Sequence, residues 1–426
     1  MLKRYRLGLI GLIFTTLISL SIGLWQGRIP LASAQSDVFN VVWETVNDNF
    51  FDPDFNGVDW AAMKEDYQSR LAQTTSQTEK AILINQMLGE LQTSHTHLYT
   101  PDEPAYYQLL GIFYPRSSEL QEQLQATFPD GSIEYVGIGA VTVEQNDKTF
   151  IKAVLDGSPA ATAGLQKGDQ LLSVEGEPFQ PIESFLDKAG QSVTLQVQRS
   201  PNPDSQQTLT VVPQTYDGIT MFLDAMADSI EIIEASDKQI GYVHIWSYAG
   251  DQYQQKLVEE LIYGQLREAD ALILDLREGW GGAPATALYP FTARGPSVTN
   301  ISRDRQTWTY NSQWDKPVVM LINEGSRSAK EILAYSFQQY DIGPVVGSPT
   351  PGAVVGGTPF IMPDSSLLYV AVVDVYVDET VRLEGVGVVP DVEVPAPLAY
   401  AAGADPQKEQ AIATALDLLN TPAENP

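Results

Sequence analysis

The sequence predicts an α/β protein built from several parts, and three observations predict it. Apolar residues recur at helical spacing near the start. Short strand-like runs with Gly-rich turns fill the middle, and continuous apolar runs alternate with amphipathic stretches after that. A chain of 426 residues is long enough for two to three hydrophobic cores.

The first stretch reads as an address. Lys3, Arg4 and Arg6 precede an uncharged, mostly apolar run from Leu7 to Trp25, and Ala32-Ser33-Ala34 follows. A basic start, an apolar middle and a small-residue end make residues 1–34 a secretory signal peptide, with cleavage expected after Ala34. A retained membrane anchor competes, because the 19-residue run is almost long enough to span. No Cys sits at the junction, which excludes a lipoprotein. The expected location is periplasmic or extracellular, with no stable membrane insertion after cleavage and a tether only if the segment is retained.

Residues 36–115 read as a helical N-terminal region. Val38, Val41, Val42, Val46 and Phe50 recur at helical spacing, as do Ile82, Ile84, Met87, Leu88 and Leu91, with another helix over Trp60–Leu71. The polar stretch from Pro115 to Asp130 reads as a connection. Residues 131–213 change character. Strand-like runs appear at Tyr135–Val141, Phe150–Val154, Gln170–Val174 and Ser192–Val197. Between them, Ser158-Pro159 starts a short helix, Gly164 ends it, and Lys167-Gly168-Asp169 turns into a strand.

This pattern resembles a PDZ domain of the bacterial protease type. The resemblance implies that a peptide C-terminus adds as a strand beside Tyr135–Val141. Its carboxylate would be held near Gly137, Ile138 and Gly139. A glycine-bearing strand in some other β-rich domain is the competing reading.

From 214 to 400, the buried runs Ile240–Trp246, Ala271–Leu276, Val318–Asn323 and Leu368–Val373 alternate with helical stretches. They fit strands covered on both faces, as in an α/β core. A helix from Pro406 to Leu419 and a polar tail complete residues 405–426.

Composition excludes whole classes of chemistry. Without cysteine there is no thiol nucleophile, disulfide framework or iron–sulfur cluster. A pI of 4.3 argues against a nucleic-acid partner, which needs Lys and Arg on phosphates, and against docking on anionic lipid. Without residues 1–34 the chain carries 21 Lys+Arg against 54 Asp+Glu, a formal charge of −33. That surplus is spread along the chain and reads as solubility outside the cytoplasm.

Four segments could carry chemistry. Asp275-Leu-Arg277-Glu-Gly279-Trp280-Gly281-Gly282 leaves an apolar strand through glycines, which fits either an oxyanion hole or a tight strand-to-helix turn. In Asn323–Leu333 a strand runs through a Gly/Ser turn into an amphipathic helix. Ser328 there is either an exposed nucleophile at a helix N-terminus or the cap of a Ser328-x-x-Glu331 capping box. His95 and His97 would share one side of an extended segment. A metal pair competes with a lone general base, and the absence of Cys or a carboxylate at ligand spacing favours the base, with no metal. His244, within an apolar strand, reads as structural, and Glu384 precedes a Gly-rich turn.

Taken in order, these segments resemble the C-terminal processing peptidase and tricorn-core family of serine peptidases. The carriers are Ile240-Gly-Tyr-Val-His-Ile, the Asp275–Gly282 strand end, the Ser326–Glu331 elbow and Gly387-Val-Val-Pro-Asp391. The resemblance implies a crotonase-like α/β core preceded by a helical N-terminal region and a PDZ domain. The processing branch pairs its elbow serine with a lysine 25 residues later, where this chain has Ala353. The tricorn-core branch uses a serine, a histidine from a Ser-His pair, and a glutamate. These correspond to Ser328, His95 with Ser94, and Glu384, although Gly385-Val386 departs from that branch's usual Asn plus aromatic.

The resemblance, joined to the export signal, implies an exported serine endopeptidase acting on polypeptides through their C-termini, with no cofactor. Ser328 is the nucleophile and His95 the base, with Ser94 and Glu384 orienting it. Gly281, Gly282 and Ala329 supply oxyanion N–H groups. The rate is expected to rise through the ordinary imidazole range. Trp280 either walls the pocket or packs the core, and Asp275 and Arg277 pin the strand end. The alternatives are an inactive PDZ scaffold of the same fold and a small-substrate esterase or amidase.

Overall fold

The computed structural model describes residues 38–292 and 295–421. The signal segment expected over 1–34 lies outside them, as does the end of the tail expected over 405–426. Among the described residues no helix is long and apolar enough to cross a membrane.

Helices Val38–Asn49, Trp60–Leu71 and Gln77–Gly89 open the fold. Asp59 caps the second by accepting the Ala62 N–H, and Ser76 and Glu79 form a reciprocal capping box on the third. Phe39, Val42 and Val46 share the buried face of the first helix. They pack, with Leu88 and Leu91, against Leu368, Val370 and Ala371.

Those last three residues belong to the strand Leu367–Val373. It joins His97–Tyr99 and Gly356–Ile361 in a separate three-stranded antiparallel sheet, rather than entering the α/β core as expected. Its run is continuously apolar because both faces are covered. The N-terminal helices lie over Leu368 and Val370, and the main core lies against Leu367. Two-sided burial leaves the same trace in sequence whichever sheet supplies it. Residues 115–130 also differ from expectation. Ser117 caps a helix, Ser118–Leu124, that buries Leu120 and Leu124 four residues apart.

The PDZ-like part is a five-stranded antiparallel sheet in the order Ala140–Glu144, Thr149–Val154, Gln170–Val174, Val193–Gln198, Gln206–Val211. The short helix Pro159–Thr162 carries Ser158 as its cap and proline in its first turn. Ile138, Ile151, Leu171, Leu195 and Val197 close a small core. Glu134–Gly137 pairs with Gln214–Asp217 instead, so this ladder crosses the boundary expected at 213 and ties the two parts together.

The core is a six-stranded sheet in the order Val392–Glu393, Val345–Gly347, Val318–Ile322, Ala271–Asp275, Lys238–His244, Glu231–Ala235. It is parallel except for the last strand. Ile240, Ile273, Val319 and Leu321 face the helix Pro406–Asn420. Leu272, Leu274, Met320 and Ile322 face Leu257 and Leu261 of Asp251–Ile262 and Leu333 and Phe337 of Ala329–Gln339. Helices on both faces explain the unbroken apolar strands. The loops that leave the carboxyl ends of Ala271–Asp275 and Val318–Ile322 lie where open parallel sheets bind ligands.

Candidate active site

Ser328 is held at φ 61° and ψ −134°, a left-handed backbone that a serine adopts only when its surroundings enforce it. The enforcement is visible. Its N–H donates to Ala353 O at 2.8 Å and to Glu331 Oε2 at 3.2 Å. The buried Glu331 carboxylate also accepts the N–H groups of Gly352 and Ala353, each at 2.7 Å. Burial nevertheless pushes the Glu331 pKa up. Ser326, two residues earlier, is fully buried and serves the scaffold: it accepts the Asn323 N–H and donates to Leu276 O, joining two strand ends.

Gly281 packs against the serine. A Cβ built there would lie 2.5 Å from Ser328 Cβ and 3.2 Å from Ser328 Oγ, so only glycine fits. The Gly281 carbonyl is tied down by the Tyr248 N–H. Among the described residues the N–H groups of Gly281, Gly282 and Ala329 are donated to no acceptor.

His95 stands on the turn before the strand His97–Tyr99 and is buried. Its Nδ1 lies 2.8 Å from Ser94 Oγ, which donates to Glu384 Oε2 at 3.0 Å. A hydroxyl has one proton. Because Ser94 spends it on Glu384, its oxygen accepts from His95 Nδ1–H, and that tautomer leaves Nε2 with a free lone pair. Glu384 is held in turn by the N–H groups of Ser94 at 3.0 Å and Val354 at 2.6 Å. Burial, and then the nearby Arg327 charge, push the His95 pKa down to about 3, so the ring is neutral well below pH 6.5. The expected rise of the rate through the ordinary imidazole range therefore needs correcting downward.

His95, Ser328, Gly281, Gly282 and Ala329 line one cleft of about 4140 Å³, which runs between the N-terminal helices and the core. Among the described residues no hydrogen bond joins His95 Nε2 to Ser328 Oγ.

The other histidines are employed differently. His97 Nε2 lies 3.3 Å from the Asn85 amide, and burial brings its pKa to about 4. His244 is buried against Trp246 at 3.8 Å, with Nε2 2.9 Å from Arg277 O. Among the described residues no group of three His, Asp or Glu could hold a metal ion.

A profile of peptidase family S41 matches residues 239–394, one of the tricorn protease C1 domain matches 35–89, and one of the PDZ domain matches 150–199. The stretch 239–394, which holds most of the core sheet and Ser328, is thus similar to peptidase family S41. The chain is 27% identical to the carboxyl-terminal-processing protease of Synechocystis sp., over 93% of this chain and 90% of that one. It is 29% identical to a putative tricorn protease homolog 2 of Streptomyces coelicolor, over 87% of this chain but only 31% of that longer protein. Its fold is similar to the tricorn protease crystal structure (TM-score 0.52, 19% identity, 90% of this chain and 36% of that one). It is also similar to mature CPAF (TM-score 0.50, 12% identity, 90% and 98%).

In this chain Ala353 stands where the processing branch has lysine, and its backbone, not a side chain, serves the elbow. The nearby Lys330 is fully buried. Its Nζ donates to Trp246 O at 3.2 Å and Glu278 O at 2.8 Å, and burial lowers its pKa to about 7. Sequence reasoning set Lys330 aside as a base and missed this bracing of the Gly-rich turn. The one available signal was a lysine placed on a helix's apolar side.

Trp280 takes both roles considered for it. It lines the cleft, and its Nε1 donates to Gln108 Oε1 at 2.8 Å. Asp275 and Arg277 form a buried ion pair at 2.6 Å, away from the cleft.

The PDZ peptide site needs one correction. Tyr135 does not face an open strand edge: it is buried against Tyr107 and Tyr216, and Glu134–Gly137 is already paired. The five-stranded sheet has two edges, Ala140–Glu144 and Gln206–Val211, and the first is the one next to Ile138 and Gly139. Gly137 ends the paired ladder, while the N–H groups of Ile138 and Gly139 are donated to no acceptor among the described residues.

Proposed function

We propose that the protein is an exported serine endopeptidase in which Ser328, His95, Ser94 and Glu384 act as one proton relay. The observation that carries this reading is the Glu384···Ser94···His95 hydrogen-bond chain, which leaves Nε2 basic in the cleft that holds Ser328. Ser328 Oγ attacks the scissile carbonyl while His95 Nε2 takes its proton. The N–H groups of Gly281, Gly282 and Ala329 hold the oxyanion, each contributing on the order of 3–4 kcal/mol. Ser94 and Glu384 stabilise the imidazolium until it protonates the leaving amine. Water then attacks the acyl-serine by the same route in reverse.

Substrates arrive as polypeptides. Their C-termini would add beside Ala140–Glu144, with the carboxylate on the N–H groups of Ile138 and Gly139. Export rests on the N-terminal basic-apolar-small pattern of residues 1–34.

Labelling with a fluorophosphonate, together with peptide cleavage assays, tests the relay. The wild-type protein should label, and Ser328→Ala should not. His95→Ala should lose at least about 10³-fold in rate, while His97→Ala keeps labelling. Full labelling of His95→Ala would overturn the relay. Ala353 favours one competing reading, a peptide-binding scaffold. Absent labelling in the wild-type protein, with C-terminal peptides still bound, would establish it.

A further inference from the structure

Among the described residues most arginines of this acidic chain are paired with a carboxylate, whereas Arg327, like Arg116, Arg303 and Arg305, is not. Arg70, Arg199, Arg267, Arg277 and Arg382 each have a carboxylate partner. Arg327 has no Asp or Glu within 4.0 Å among the described residues, although the sequence carries 54 acidic residues against 25 Lys+Arg. It is half-buried in the catalytic cleft, one residue before Ser328, with its guanidinium 4.9 Å from the centre of the Trp280 ring. Its charge is felt on several sides of the cleft, by His95, His97, Tyr99 and Tyr369.

Stacking on an indole covers a guanidinium's face but leaves its edge, part of which meets the Tyr99 hydroxyl. The N–H donors lie in the plane, in the fork that matches a carboxylate bidentately. An unpaired, half-desolvated cation beside a nucleophile is costly unless something else neutralises it. Building on the peptidase reading, we propose that Arg327 forms a substrate subsite for a carboxylate close to the scissile bond. An arginine side chain reaches roughly 6–7 Å, and an extended peptide advances about 3.3 Å per residue. The carboxylate therefore falls within about two residues of the cleaved bond. Two sources share this chemistry: an Asp or Glu side chain, and a free C-terminal carboxylate.

The test uses matched peptides. Asp is walked from three residues before to three residues after the cleaved bond, each against its Asn isostere, and each peptide is made as C-terminal acid and amide. The readout is the acid-to-neutral ratio of kcat/KM in wild-type, Arg327→Gln and Arg327→Lys protein. The same ratio in binding is measured with Ser328→Ala and with Ser328→Ala/Arg327→Gln. A preference of about tenfold or more for the acid is expected at one position or at the terminus. It should collapse to about one in Arg327→Gln and partly return in Arg327→Lys.

Loss of the Asp preference identifies the side chain as the source, and loss of the terminal preference identifies the C-terminus. A terminal preference that survives Arg327→Gln belongs to the PDZ turn. Ratios equal in wild-type and Arg327→Gln protein, or neutral peptides favoured throughout, overturn the subsite. Turnover without discrimination sinks the subsite alone. Discrimination in binding without turnover or labelling sinks the peptidase reading alone.

Discussion

At the scale of single residues, the charge state of His95 decides how the relay responds to acid. A histidine in water holds a proton below about pH 6.5, and a protonated ring cannot accept one from serine. Burial, reinforced by Arg327, brings the His95 pKa to about 3, so the ring is neutral over most of the acid range. The kcat/KM of wild-type protein should therefore stay nearly flat from pH 8 down to about 5, instead of halving near 6.5. A midpoint at 6.5 in wild-type and in His97→Ala protein would show that His95 titrates as an exposed ring. Stability runs the other way. Below about pH 6.5 the unfolded chain takes up protons that His95 and His97 refuse in the native state. Stability therefore falls with pH until the native rings titrate, at about 4 for His97 and about 3 for His95.

At the scale of elements, the start of the helix Ala329–Gln339 reconciles two readings of one motif. Ser328-x-x-Glu331 has the sequence of a capping box, and the Glu331 half of it operates: the carboxylate accepts the Ser328 N–H. The left-handed backbone of Ser328 meanwhile sets the serine at the wall of the cleft. Glu331 extends the cap by gripping the N–H groups of Gly352 and Ala353, so one side chain joins the elbow, the helix and the loop that lacks the lysine. Glu331→Ala strands these buried donors. It should cost about 2–4 kcal/mol in chemical denaturation and slow fluorophosphonate labelling more than it lowers the folded fraction. Labelling at the wild-type rate in folded Glu331→Ala protein would detach the elbow from this brace.

At the scale of the whole molecule, the core is closed by a buried charge network between distant parts of the chain. Arg277, at the end of the central strand, pairs with Asp275 at 2.6 Å and with Asp405 at 2.7 Å, and also donates to Gln407 at the start of the last helix. Tyr242 donates to Asp275 from the neighbouring strand at 2.7 Å. Asp275 is fully buried, and its pKa is lowered because the guanidinium outweighs the cost of burial. Arg277→Met leaves that charge uncompensated. It should destabilise the protein by about 3–5 kcal/mol in urea denaturation, and Asp275→Asn in the same chain should recover part of the loss. An undiminished midpoint in Arg277→Met protein would mean that the last helix is held by its apolar contacts alone.

Much of the local chemistry is legible in the amino-acid order. Glycine turns, Ser-Pro and Ser-x-x-Glu starts, and the apolar runs mark the helices Trp60–Leu71 and Pro406–Asn420, three of the PDZ strands and three of the six core strands within a residue or two, because those signals depend on neighbours in the chain. Ser328 and His95 stand out as candidates from their own surroundings, but only resemblance joins them to Ser94 and Glu384 as one set, since the four are spread over hundreds of residues. Three-dimensional packing settles the rest: which sheet Leu367–Val373 joins, that Tyr135 turns inward, and that Lys330 braces the Gly-rich turn. It also settles that Arg327 stacks on Trp280 with no carboxylate within 4.0 Å among the described residues, and that His95 is buried. Each of these depends on what the rest of the chain brings to a place, and burial, pairing and charge environment have no local signature.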